Sequence, residues 1–137
     1  MIVPFLNLLN HYSTEAPAGF RQFASANGVA SPNTCAVRLA YALHQVDKAF
    51  FKDVKAPLEW YGLPTRANDL AVVLNKKLFP CTRVTRPLAD GRRGIIFFDT
   101  ITGFGGTGHI SLWDGDKVVD GGDYFGSSPR AYFWQLS

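Results

Sequence analysis

Two cysteines and three histidines are the side chains of this 137-residue chain best suited to nucleophilic and general-base chemistry, and their surroundings differ. Cys35 follows Ser31-Pro32-Asn33-Thr34, in which Ser31 and Pro32 read as the N-cap and first residue of a helix. Near a helix start, unsatisfied backbone N–H groups and the helix dipole place positive potential beside the sulfur, and that favours the thiolate, the attacking form. The Cys35 N–H is expected to point to where a tetrahedral oxyanion would form. Cysteine is otherwise among the most often buried residues, so a partner base is what separates a nucleophile from a small core hydrophobe.

His109 supplies that base. Gly108-His109-Ile110-Ser111-Leu112-Trp113 reads as a strand with His109, Ser111 and Trp113 on one face and Ile110 and Leu112 on the other. Asp114-Gly115 follows and signals a two-residue type I′ turn. That turn places Trp113 opposite Asp116, Ser111 opposite Val118 and His109 opposite Asp120. Opposed Cβ atoms lie about 4.5–5.5 Å apart, so Asp120 can accept a hydrogen bond from one ring nitrogen and leave the other aimed at a thiol. This is the orienting role of the acid in a nucleophile triad. If Gly115-Asp116 formed the turn instead, His109 would no longer face Asp120, and Asp123 is then the fallback acid. Asn33 and Thr34, adjacent to Cys35, and Ser111 and Trp113, on the His109 face, are the candidate substrate-binding residues. His11 and His44 have no comparable neighbours; His44 is expected to be solvated.

The elements that must bring these residues together divide along the chain. Apolar residues recur at helical spacing in the first half, giving helices over about Pro17–Ala26, Pro32–Lys48 and Ala67–Phe79. Leu39, Leu43 and Val46 are expected to be buried, Lys77 lies at the edge of its apolar stripe, and Pro80 ends the third helix. After Pro80 come short β-prone runs at Thr82–Arg86, Gly94–Asp99, His109–Trp113, Lys117–Asp120 and Ala131–Leu136. The expected fold is α+β, with N-terminal helices packed on a C-terminal antiparallel sheet in a single domain, residues 1–137.

Composition narrows the function classes. Hydrophobic residues make up 47% and charged residues 18%, enough to build a core without a metal or a crosslink. The net charge of +3 is spread along the chain with no basic run longer than a pair, which argues against nucleic-acid binding. No apolar run reaches the roughly 20 residues of a membrane helix. Met1–Leu9 is apolar but lacks a basic start and a cleavage site, so the chain reads as made in the cytoplasm without a signal peptide. Cys35 and Cys81 are expected as free thiols. No zinc spacing and no cofactor motif is present: Gly103–Gly108 satisfies G-x-G-x-x-G but opens a strand rather than a helix, so it reads as a loop beside the site.

Asn33-Thr34-Cys35-Ala36-Val37-Arg38, then Gly94-Ile95-Ile96-Phe97-Phe98, then Gly108-His109-Ile110-Ser111-Leu112-Trp113-Asp114-Gly115, resemble in order and separation the type VI secretion amidase effectors of the fourth amidase family. The resemblance covers most of the chain from about Ser31 onward. It implies a papain-like (NlpC-type) fold and a cysteine amidase that cuts the γ-D-glutamyl to meso-diaminopimelate bond of peptidoglycan stem peptides. It assigns Cys35, His109 and Asp120 to the family's catalytic cysteine, histidine and aspartate. It further implies delivery by type VI secretion components into the periplasm of target bacteria, and a cognate immunity protein that blocks the cleft. Ser111 stands where the family often has Asp, the chain is shorter than many members, and a C-terminal cysteine pair found in several of them has no counterpart here. The competing readings are a transglutaminase-like acyltransferase using the same Cys/His pair, and a non-catalytic cell-wall-binding module.

Overall fold

The computed structural model describes residues 3–29, 32–99 and 108–137. The Ser31 cap and the Gly103–Thr107 part of the glycine-rich run thus lie outside the described residues. In chain order the elements are α1 (Phe5–His11), α2 (Phe20–Ala26), α3 (Cys35–Val46), β1 (Glu59–Trp60), β2 (Leu63–Pro64), α4 (Ala67–Lys77), β3 (Thr82–Val84), α5 (Arg86–Ala89), β4 (Arg93–Asp99), β5 (His109–Asp114) and β6 (Arg130–Gln135).

The larger sheet runs β3-β6-β4-β5, with every pairing antiparallel. Gly94-Ile95-Ile96-Phe97-Phe98 of β4 is apolar at consecutive positions, as a strand covered on both faces must be. Ile95 and Phe97 share one core with Ile110, Leu112 and Trp134 and with the buried faces of α1, α3 and α4. Ile96 and Phe98 join Trp113, Phe133, Val84 and Val118 in a second core on the opposite face. The α+β expectation and the antiparallel sheet agree with this arrangement.

α3 buries Leu39 and Leu43 completely, whereas Val46 is only partly buried at the frayed end. It starts at Cys35 with Thr34 as its N-cap, three residues later than Pro32 suggests, because Asn33 and Thr34 stay outside the helical turn. α4 ends at Lys77, whose Nζ donates to the Lys52 carbonyl at 3.2 Å. α1 was not expected: its seven residues form no free-standing helix, and it is held by burial of Phe5 and Leu8 and by the Phe5 N–H bond to the Ser137 carbonyl, 2.9 Å. β3 stops at Val84 because Arg86-Pro87 opens α5.

The expected strand over Lys117–Asp120 does not form. Asp114 N–H bonds the Lys117 carbonyl and Val119 N–H bonds the Leu112 carbonyl, both at 2.9 Å, and Trp113 pairs with Val118 in an isolated bridge. The turn therefore centres on Gly115-Asp116 and not on Asp114-Gly115: of those residues only Gly115 has positive φ (+81°), so a type I′ turn at Asp114-Gly115 is absent. The ladder then ends as Gly121 N–H turns back to the Val118 carbonyl at 2.9 Å.

Leu112 is fully buried and belongs to the core that α3 covers. Leu112→Ala should cost about 2–5 kcal/mol, read as a lower urea midpoint. Val72→Ala, on the 55% exposed Val72 of α4, should change stability by no more than about 0.5 kcal/mol.

Candidate active site

Cys35 opens α3 and is 1% exposed. Its backbone N–H is already engaged: it donates to Asn33 Oδ1 at 3.1 Å, the local bond that asparagine makes to a backbone two residues on. The expectation of a free Cys35 N–H awaiting an oxyanion is thereby corrected, since the Asn33 side chain must move before that donor is available. Asn33 Nδ2 also reaches the Gly108 carbonyl at 3.4 Å, tying the start of α3 to the start of β5. Gly108 has φ +100° there, and a Cβ on it would lie 2.3 Å from the Phe98 carbonyl oxygen, so no larger residue can carry the chain into His109.

His109 is 6% exposed, with Tyr124 against its ring at a centroid distance of 5.2 Å. Its Nε2 lies 2.9 Å from Asp120 Oδ2 and 3.2 Å from Oδ1. The nitrogen left over is Nδ1, and the Cys35 side chain is near enough to the ring to raise its pKa. The three candidate residues thus stand in the sequence Cys35–His109–Asp120. Asp120 reaches the imidazole by a different route from the one expected. Gly122, not Asp120, lies alongside the His109 ring, and a Cβ on it would lie 2.6 Å from Nε2. Glycine leaves that space open, and the Asp120 carboxylate folds into it, capped by the Gly122 N–H at 2.9 Å from Oδ1.

Two residues without an expected role complete the arrangement. Arg38 lies one turn after Cys35 on α3, and its Nη2 sits 3.4 Å from Asp120 Oδ2, with 10% and 4% of the two side chains exposed. Tyr12, just after α1, bonds the same Asp120 oxygen at 3.4 Å and Ser111 Oγ at 3.2 Å. Arg38 was legible in principle, since a residue three after Cys35 shares its helix face. Tyr12 was not, because only tertiary folding brings it near β5.

Asp123, the fallback acid, pairs with Arg86 instead. Ser111 and Trp113 are fully buried: the first bonds Tyr12, and the second packs in the core with its indole N–H on the Ala89 carbonyl at 3.0 Å. Both stand behind the site rather than in position to touch a substrate, because β5 is covered on the face that the alternation assigned to ligand. Thr34 is partly buried and offers its carbonyl to Arg38. Asn33 lines a cavity of about 320 Å³ beside Cys35. His11 is exposed and His44 half-buried. Both cysteines are free. Among the described residues no cluster of His, Cys, Asp and Glu could hold a metal ion, and no helix is long and apolar enough to cross a membrane.

Electrostatics binds the group together. Burial alone would lower the pKa of His109, but hydrogen bonds to Asp120 and Cys35 and the charges of both outweigh it and push it up to about 9. Burial would raise Asp120, but the His109 hydrogen bond and charge, the Gly122 N–H and Arg38 hold it down at about 2. Tyr12 is pushed up to about 12 by burial and by the Asp120 charge, so it remains a neutral donor.

The raised His109 value contributes stability that is complete below its ordinary 6.5 and lost as pH rises through about 9. The depressed Asp120 value contributes stability complete above 3.8 and lost as pH falls through about 2. Urea midpoints should therefore be flat between these limits and fall on the alkaline side, and NMR should place the His109 titration near 9. Asp120→Asn removes an anion and should move that titration to lower pH; an unmoved titration would separate His109 from Asp120. Gly122→Ala should cost about 10²-fold in turnover while the protein stays folded, because it displaces His109 or Asp120.

The family model of type VI secretion system amidase effector protein 4 (Tae4) matches residues 32–134. No curated protein sequence matches the chain. Among solved structures, the effector–immunity complex Tae4–Tai4 from Enterobacter cloacae superposes with a TM-score of 0.74 at 22% identity, over 100% of both chains. Tae4 from the same organism gives 0.71 at 22%, over 100% of this chain and 98% of that one. The Tae4/Tai4 system of Salmonella typhimurium gives 0.70 at 19%, over 97% and 95%. These likenesses establish a shared fold, and the family match spans most of the residues that build the site, from Pro32 through Trp134. The chain belongs to the Tae4 family of type VI secretion system amidase effectors.

Proposed function

We propose that this effector is a peptidoglycan amidase of the cysteine type, a single papain-like (NlpC-type) domain over residues 1–137 that hydrolyses the γ-D-glutamyl to meso-diaminopimelate bond of stem peptides. The observation that carries the reading is the buried Cys35–His109–Asp120 line, with Nε2 of His109 2.9 Å from the carboxylate. A raised imidazole pKa beside a thiol is what a thiolate–imidazolium pair requires.

In the first step the Cys35 thiolate attacks the amide carbonyl. The tetrahedral intermediate collapses as the imidazolium of His109 gives its proton to the leaving amine, and a thioester remains on Cys35. Neutral His109 then takes a proton from water, hydroxide attacks the thioester, and the carboxylic acid leaves as the thiolate returns. Asp120 keeps the imidazole oriented through Nε2 and stabilises its charged form, with Arg38 and Tyr12 fixing the carboxylate in turn. Asn33 and Thr34 shape the cleft on the Cys35 side. Export through type VI secretion components, action in the periplasm of target bacteria and a cognate immunity partner belong to the same reading; Tai4 in the Enterobacter and Salmonella complexes supports the last of these.

Purified Gram-negative peptidoglycan incubated with the protein should release fragments whose masses report cleavage at that bond, and Cys35→Ala should release none while remaining folded. An added amine incorporated faster than water would favour acyl transfer, and binding without cleavage by the wild type would favour a wall-binding module. Iodoacetamide at neutral pH should label Cys35 faster than Cys81. Exposure alone gives the opposite order, since Cys35 is 1% exposed while Cys81 is partly exposed with its thiol pushed up by burial. Equal or slower labelling of Cys35 would count against a thiolate there.

A further inference from the structure

The cavity beside Cys35 carries chemistry that cleavage alone does not use. Its walls are largely apolar, built by Phe20, Phe23 and Leu58, and among the described lining residues Arg66 is the one formally charged side chain. Arg66 is held in place from behind: its Nε donates to Asp69 Oδ2 at 2.8 Å, and Asp69 does not line the cavity. The terminal guanidinium nitrogens have no other partner among the described residues. α3 and α4 both begin at this cavity, at Cys35 and Ala67, so both helix dipoles place their positive ends there. A guanidinium tethered through Nε at the wall of an apolar pocket, with 42% of its side chain still exposed, is suited to take a carboxylate in a forked pair of hydrogen bonds.

The side of the scissile bond follows from the proton path. His109 must stand next to the leaving amine to protonate it, and the cavity is lined by Cys35 but not by His109. It therefore lies on the acyl side of the nucleophile. We propose that Arg66 is the specificity-determining residue of an acyl-side subsite and binds a free carboxylate on the residue whose carbonyl Cys35 attacks. The inference rests on the amidase reading above. In a γ-linked D-glutamate the side-chain carboxyl forms the scissile amide and the α-carboxylate stays free, two methylenes away, within reach of a cavity of this size. The effector accordingly distinguishes wall peptides with free γ-D-glutamate from those in which that carboxylate is amidated.

The test uses two synthetic stem peptides, L-Ala-γ-D-Glu-meso-diaminopimelate and its isoglutamine counterpart, which differ only in the α-carboxylate. Calorimetric binding to the Cys35→Ala protein reads the subsite without turnover. The acid peptide should bind about 10- to 100-fold tighter than the amide, the range for a hydrogen bond to a charged group. Arg66→Gln in the same background should bring the two affinities together, and Arg66→Lys should restore part of the difference. With Cys35 intact, Arg66→Gln should raise KM for the acid peptide with little change in kcat. Equal binding of the two peptides, or a preference that survives Arg66→Gln, overturns the assignment. Turnover by the wild type is scored separately: preferential binding of the acid without its cleavage would uphold the Arg66 subsite and reject the bond assigned above.

Discussion

A carboxylate almost sealed from water is the constraint around which this molecule is organised. Only 4% of the Asp120 side chain is exposed, and an ion so buried is tolerable only when its lone pairs are filled by donors and a cation stands close. The donors come from four separate parts of the chain: Tyr12 after α1, Arg38 on α3, His109 at the head of β5, and the Gly122 N–H in the turn that follows. Satisfying one acid thus fixes the relative placement of the first helix, the central helix and the outer strand. Removing any one donor leaves a buried oxygen short of a partner and loosens the others, so the cost should exceed that of a single long hydrogen bond.

The same arrangement explains how β5 can hold a buried His109 at the end of a sheet. Among the described residues β5 has a laddered partner on one side, β4, and on the other the returning segment that bridges at Trp113 and Val118. The interruption of that second ladder frees the backbone around Asp120 to curl over His109. In the register set by Trp113 and Val118, continuous pairing would place Gly122 opposite His109 and Asp120 opposite Ser111, so the carboxylate would meet the imidazole only diagonally. Irregularity is here the means of assembly, and Gly122 is the residue that permits it.

Much of this was legible in the sequence, for reasons that differ element by element. α3 and α4 showed through the spacing of Leu39, Leu43, Leu70 and Leu74, because each buries one face. β4 showed as a run of apolar residues because both its faces are covered. Cys35 and His109 could be singled out because a candidate nucleophile and a candidate base have local signatures, a helix start and a strand start. The route to Asp120 could not be read correctly, since Asp114-Gly115 resembles a hairpin turn that the chain places one residue later. α1 and Tyr12 carry too few residues to announce themselves, and Arg66 acquires meaning only from the cavity it lines. Burial of Ser111 and Trp113 likewise depends on what covers the second face of the sheet, which alternation along β5 cannot reveal.

The order β3-β6-β4-β5 also bears on when the molecule becomes competent. β6, the last strand in chain order among the described residues, lies in the interior of the sheet and supplies Trp134 to one core and Phe133 to the other. Until residues 130–135 are in place, β3 has no sheet neighbour among the described strands and β4 keeps an open edge, although Cys35 and His109 come earlier in the chain. Assembly of the sheet is therefore governed by contacts between distant parts of the chain rather than by stepwise growth from the N-terminus. Until residues 130–135 dock, the chain holds Cys35 and His109 but lacks the strand that completes both cores behind them.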